Sequence, residues 1–205
     1  MNFGSFMEAT RTLERMIQEH GGEVANTREL VDVHYTVDNP HLHDLSPHQP
    51  WAEVEFKDRI SLEPRNPGNS WKELPGVWIP MKEKDGRYSY TYSERVAYQL
   101  IEILEELRSN SSSREAYLAI WNPALDPFRL SRRRVPCTLG YQFFFREGKL
   151  HMTYLQRSCN FPKHYQDDVY LAYKLQLWVA EKLGLTTGSF SHWVGSLHEF
   201  VREVT

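Results

Sequence analysis

The chain has 205 residues, 40% of them hydrophobic and 13% aromatic, with a formal net charge of −3. That length fits one domain with a sizeable core (residues 1–205), and the composition excludes a disordered chain. The mildly acidic balance argues against a protein built to grip a nucleic-acid polymer, and no apolar run reaches membrane-spanning length.

The N-terminus lacks a basic-then-apolar leader, and only Cys137 and Cys159 are present, so no disulfide framework is expected and a reducing cytoplasm is the expected location. Residues 5–20 place Phe6, Ala9, Leu13, Met16 and Ile17 at helical spacing, with Ser5 as N-cap and Gly21-Gly22 as the stop. Leu30 to Val37 is β-branched and partly alternating, which predicts a strand. Residues 39–85 are proline-rich and polar yet carry Trp51, Phe56, Trp71 and Trp78; that mixture predicts a loop-rich covering segment packed on the core.

A second helix is expected from Ser93 to Leu107, on a stripe of Val96, Leu100, Ile103, Leu104 and Leu107. Ala116 to Trp121 reads as a buried strand. Leu139 to Phe145 and Lys149 to Gln156 flank Arg146-Glu147-Gly148 as a hairpin. A third helix is expected from Asp168 to Leu183, ended by Gly184. The sum is one α+β domain.

The segment Val135 to Ser158 resembles the thymidylate synthase family. It carries Pro136-Cys137, Tyr141-Gln142-Phe143, Gly148-Lys149-Leu150 and Gln156-Arg157-Ser158. The likeness continues through Glu181-Lys182-Leu183-Gly184-Leu185, Gly188-Ser189-Phe190 and Gly195-Ser196-Leu197-His198. Upstream it takes in Ser113-Arg114 and Ala119-Ile120-Trp121-Asn122. It covers Tyr88 to Phe200, and Asn26-Thr27-Arg28-Glu29-Leu30 looks like the compact archaeal members. The resemblance implies a mixed β-sheet packed by helices, a homodimer formed through the sheet, and one-carbon transfer to C5 of a pyrimidine nucleoside monophosphate.

That chemistry needs a soft nucleophile. C5 reacts only after a thiolate adds at C6, and cationic neighbours favour the thiolate. Cys137 is the expected nucleophile; Arg157 lies twenty positions on and Arg132, Arg133 and Arg134 just before. The basic triplet is expected to be a solvated turn. The resemblance implies that Arg157, Ser158 and Arg28 bind the nucleotide phosphate, helped by Arg114 reaching in from a second subunit. It places Tyr92 in an active-site hydrogen-bond network and His198 at the sugar. The histidines His41, His43 and His48 with Asp44 fit no zinc pattern and are expected to be surface loop. Cys159 is expected to be structural.

Departures from the family pattern bear on the reaction. Where the family keeps a uracil-binding asparagine, this chain has Asp168, a carboxylate that accepts from the N4 amino group of cytosine and matches the phage deoxycytidylate hydroxymethylases. The competing expectation is that Asp168 caps the third helix. Asn160 replaces the aspartate that contacts the folate pterin, Glu115 replaces an arginine, Thr138 replaces a histidine, and Phe200 replaces a tyrosine at the sugar. The family's catalytic glutamate has four candidate substitutes: Glu53, Glu55, Glu63 and Glu73. Three functions are therefore open. One is a (deoxy)cytidylate hydroxymethylase using methylenetetrahydrofolate or a pterin analogue. Another is a compact thymidylate synthase methylating dUMP. The last is a catalytically altered nucleotide binder or a folate-independent C5-modifying relative.

Overall fold

The computed structural model describes residues 1–126 and 134–201. Strand β1 (Asn2–Phe3) leads into helix α1 (Phe6–His20), whose first turn is closed by the Ser5 side chain accepting from the Glu8 N–H. Phe6, Ala9, Leu13 and Ile17 bury one face of that helix. Strands β2 (Gly22–Val24) and β3 (Thr27–Val37) follow. The covering segment then supplies α2 (Trp51–Arg59) and the single turn α3 (Pro75–Trp78).

The stretch expected as one helix from Ser93 divides into α4 (Tyr92–Val96) and α5 (Gln99–Ser109). Gln99 explains the break: its Nε2 donates to the Arg95 carbonyl at 2.6 Å, taking the acceptor that a continuing helix would pair with a backbone N–H. The same side chain clamps strand β4 (Tyr117–Ala119) through both Ala119 backbone groups. Strands β5 (Thr138–Arg146) and β6 (Lys149–Asn160) form the expected hairpin, with Glu147 and Gly148 at φ of 52° and 75°.

Helix α6 (Phe161–Leu183) begins two turns earlier than its apolar stripe predicts. Pro162 suits a first helical turn, and Asn160 stands at the N-cap without a side-chain bond. Asp168 is therefore inside the helix, and the reading of it as the cap is overturned. Gly184 closes α6 in the left-handed conformation. The last strand, β7 (Thr186–Phe200), has no counterpart in the periodicity reading, because a histidine and two glycines interrupt its alternation.

The sheet runs β1-β3-β7-β6-β5-β4, with β2 on β3; β1–β3 and β6–β7 are parallel and the other pairs antiparallel. Helices α1, α5 and α6 share one face, over an inward row that includes Val33, Tyr35, Met152, Tyr154, Phe190 and Val194. These residues belong to one core cluster, to which Trp51, Ala52 and Phe56 of α2 also belong. The opposite face is covered by no described element and carries the partly exposed Phe144, Thr153, Leu155, Ser191 and Trp193. Among the described residues no helix is long and apolar enough to cross a membrane.

Candidate active site

A cleft opens where the covering segment meets the C-terminal end of β6 and the start of α6. Cys137, Tyr92, Ser158, Asn160 and Asp168 all line it, so five of the expected site residues are brought together. Cys137 lies one residue before β5, and its carbonyl accepts from the Arg157 N–H at 2.8 Å. The Arg157 guanidinium wraps the same turn, donating from Nε to the Pro136 carbonyl at 2.8 Å and from Nη2 to that of Val135 at 3.3 Å. Nη2 also stands 3.8 Å from the Cys137 sulfur. Much of the fork expected on a phosphate is thus engaged in holding the cysteine turn.

The expectation of a thiol lowered by cations meets an opposing force. Burial pushes the Cys137 pKa up, Arg157 and Arg134 pull it down, and the Asp168 charge pushes it up again. The net direction is upward. Arg132 and Arg133 lie outside the described residues. Arg134 is exposed, in keeping with a solvated turn, and it also lines the cleft, with its guanidinium carbon 5.7 Å from the Trp78 ring centre.

Of the four candidate glutamates, only Glu55 lines the cleft. Trp51, Glu55 and Arg59 fall at i, i+4 and i+8 of α2, on the face turned to it. Glu55 Oε1 accepts from Arg59 Nε at 2.8 Å, and Oε2 accepts from Ser70 Oγ at 2.7 Å. Glu53 instead pairs with Lys174 of α6 at 2.6 Å, while Glu63 and Glu73 are exposed. Arg59 is buried and stacked 3.8 Å over the Tyr92 ring; the Glu55 contact is its only hydrogen bond among the described residues.

The covering segment is fixed to α2 by Asp58, whose carboxylate accepts from Asn69 N at 2.6 Å, Ser70 N at 3.2 Å and Arg65 Nη1 at 3.4 Å. Gly68 completes this turn. Its φ is +71°, and a Cβ there would lie 2.7 Å from Asp58 Oδ2. Trp51 and Trp78 stack as a flat wall of the cleft, with centroids 5.7 Å apart and planes 12° apart. Tyr92 joins a row of hydroxyls, Tyr92 to Thr138 at 3.1 Å and Thr138 to Tyr154 at 3.0 Å.

Asp168 has the most informative surroundings. Burial raises its pKa to about 6, against the Gln156 hydrogen bond and the Arg59 charge, which lower it. Gln156 Nε2 donates to Oδ2 at 2.7 Å, and Oδ1 takes no bond from any described residue. A carboxylate oxygen is therefore left as an acceptor in the wall of the cleft.

The remaining expected residues lie around this centre. Arg28 of β3 is 3.5 Å from Glu199, at the end of the sheet where Glu29 pairs with His198. His198 pairs with Asn160 across β6–β7, stands edge-on to Phe200, and has its pKa lowered by burial. Arg114 is exposed ahead of β4, away from the cleft. Cys159 is buried, with its sulfur 4.0 Å from Asp168 Oδ2. His41 stacks on His43, and His48 turns to Asp167 at 2.8 Å. Arg59, Arg134 and His164 line the cleft without having been expected there. Arg59 alone carried a sequence signal, four residues after a glutamate on a helix.

Comparison with known proteins agrees with this architecture. The structure superposes on thermostable thymidylate synthase A from Bacillus subtilis with a TM-score of 0.76, covering 98% of this chain and 81% of that one at 20% identity. The fold is thus the α+β fold of that enzyme. Residues 35–205 match the family model described as thymidylate synthase. A protein of Methanosarcina barkeri named "Putative thymidylate synthase" is 27% identical over 188 residues, 86% of this chain and 77% of that protein. One of the same name from Methanocaldococcus jannaschii is 31% identical over 116 residues, 56% of this chain and about half (52%) of its own length. The chain belongs to the thymidylate synthase family, and is by that membership a one-carbon transferase acting at C5 of a nucleotide.

Proposed function

We propose that the protein is a (deoxy)cytidylate hydroxymethylase, with Asp168 as the base-reading group. The observation that carries this reading is the free Oδ1 acceptor of Asp168 in the cleft shared with Cys137. The N4 amino group of cytosine donates to such an oxygen, whereas O4 of uracil would face it acceptor to acceptor.

In this mechanism Cys137 gives its proton away and its sulfur bonds to C6 of the ring. The displaced π pair then makes C5 nucleophilic. Arg157 steadies the thiolate and the turn that presents it. The family's carbon donor, methylenetetrahydrofolate, supplies the methylene when bound. The stacked Trp51–Trp78 wall suits its flat pterin, and Asn160 offers that ring a neutral amide. Glu55, held by Arg59 and Ser70, is the group placed to orient water and to take up the C5 proton. Once the carbon is on C5, its bond to the carrier's nitrogen breaks with the electron pair leaving on the carrier. Water then adds to the exocyclic carbon to give the hydroxymethyl group, and expulsion of the sulfur from C6 restores the ring double bond and frees Cys137.

The nucleotide phosphate is read by Ser158 and Arg157, with Arg28 and His198 towards the sugar and Arg114 supplied by a second copy. That arrangement requires a homodimer through the uncovered sheet face. A second reading, methylation of dUMP, draws on the names of the relatives and on Arg59. The unpaired guanidinium N–H groups of Arg59 lie in the same cleft and are donors suited to O4. Product mass separates the two: incubation of dCMP, CMP, dUMP and UMP with methylenetetrahydrofolate should add CH2O to a cytidylate. Methylated dUMP alone would overturn the proposal.

A further inference from the structure

On β6 and β7, two positions in the buried face of the sheet break its apolar pattern. Gln156 follows Met152 and Tyr154 on β6, and His192 stands between Phe190 and Val194 on β7; both side chains are fully buried. They are joined in a chain of hydrogen bonds that crosses three strands and ends in the cleft. Asp168 Oδ2 accepts from Gln156 Nε2 at 2.7 Å, and Gln156 Oε1 is 3.1 Å from His192 Nε2. His192 Nδ1 is 2.9 Å from the Tyr35 hydroxyl, which is 2.8 Å from that of Tyr165.

The direction of each bond follows from chemistry. The Gln156 amide nitrogen only donates, so its oxygen must accept, and His192 Nε2 must carry a proton. His192 is neutral, since burial lowers its pKa to about 3. Its Nδ1 is then bare and accepts from Tyr35, whose oxygen accepts from Tyr165. Every donor points towards Asp168. Packing alone does not call for this arrangement, because a phenylalanine at position 192 would stack on Tyr154 as the imidazole does, at 4.5 Å and 12°.

We infer that His192 is a positioning residue for Asp168: by fixing the Gln156 amide, it holds the Asp168 carboxylate as a hydrogen-bond acceptor and so sets base preference from beneath the sheet. This rests on the proposed base-reading role of Asp168. If the chain of bonds is broken, the amide is free to turn its oxygen to Asp168, and the protonated acid becomes the better partner. The other charged or titratable groups facing Asp168 are Arg59 from α2, Tyr90 and Tyr92 at the start of α4, Cys137, Tyr141, Tyr154 and Cys159 from the sheet side, and Asp167 on its own helix. His192 is faced by Tyr35, Tyr154 and Tyr165, with the charge of His34 nearby. All of these are kept in the test variants except the one hydroxyl that Tyr35→Phe deletes.

The test follows ionisation of Asp168 in the free protein by the 13C shift of its labelled carboxyl, in wild type, His192→Phe and Tyr35→Phe. Tyr35→Phe deletes a single oxygen and guards against a misfolded His192→Phe. The midpoint should rise by about one pH unit in each variant, the scale of one hydrogen bond to a charged group. Cytidylate binding should then fail at correspondingly higher pH. Unchanged midpoints in both folded variants would overturn the inference. A raised midpoint with nucleotide preference untouched would uphold the link from His192 to Asp168 and count against base reading by Asp168 instead.

Discussion

Replacing Asp168 by asparagine should make the free protein more stable at neutral pH, in a way that disappears in acid. The carboxyl goes from an ordinary value of 3.8 in the unfolded chain to about 6 in the cleft. The folded state therefore prefers the protonated acid, and the stability linked to it is present below the unfolded pKa and lost as pH rises through the folded one. A rise of that size corresponds to about 3 kcal/mol once the group is fully ionised. Asparagine carries no charge to desolvate, and its Oδ1 still accepts from Gln156. Asp168→Asn should thus exceed wild type by up to about 3 kcal/mol near pH 8 and approach it near pH 4. Urea unfolding of both proteins across that range measures the difference. A separation that stays constant with pH, or wild type gaining on the variant as pH rises, would show that burial does not penalise the charged form of Asp168. A carboxylate kept at such a cost in a cleft is what a functional group looks like.

Three further outcomes follow from the geometry. Glu55→Gln should keep nucleotide binding, measured by titration calorimetry, while turnover falls on the order of 10²–10⁴-fold, the loss expected for a general acid–base group. Gly68→Ala should lower stability by about 1–3 kcal/mol in urea unfolding, because its left-handed φ and the 2.7 Å approach to Asp58 Oδ2 leave no room for a Cβ. Leu155→Asp, on the uncovered sheet face, should convert a dimer to a monomer in analytical ultracentrifugation, and activity should fall with it if Arg114 completes the neighbouring site.

The parts of the site that were legible in the sequence share a strong local pattern. Cys137, Arg157, Ser158 and Asp168 sit in or beside a hairpin and a helix whose spacing is rigid, so their meeting in space follows once the elements are placed. Glu55 was only one of four candidates, because α2 lies in a proline-broken stretch; its cleft-facing residues, Trp51, Glu55 and Arg59, form no apolar stripe. The early start of α6 was hidden by the polar run 162–168, which gives no periodic signal. Tyr35, Gln156 and His192 belong to three strands distant in sequence. Their connection depends on register, Tyr35 opposite His192 and Tyr154 opposite His192, which no single segment encodes. Arg134 is exposed, as its charge run suggests, but such a run gives no sign of the indole beside it.

Covalent activation of a cytidylate by Cys137, with Asp168 reading the base, is open to one direct measurement. Release of tritium is followed from C5-labelled dCMP, CMP, dUMP and UMP, with and without methylenetetrahydrofolate. Release is expected from a cytidylate, lost in Cys137→Ala and shifted towards uridylate in Asp168→Asn. Release that persists in Cys137→Ala, or release confined to uridylate in the unaltered protein, would contradict this mechanism.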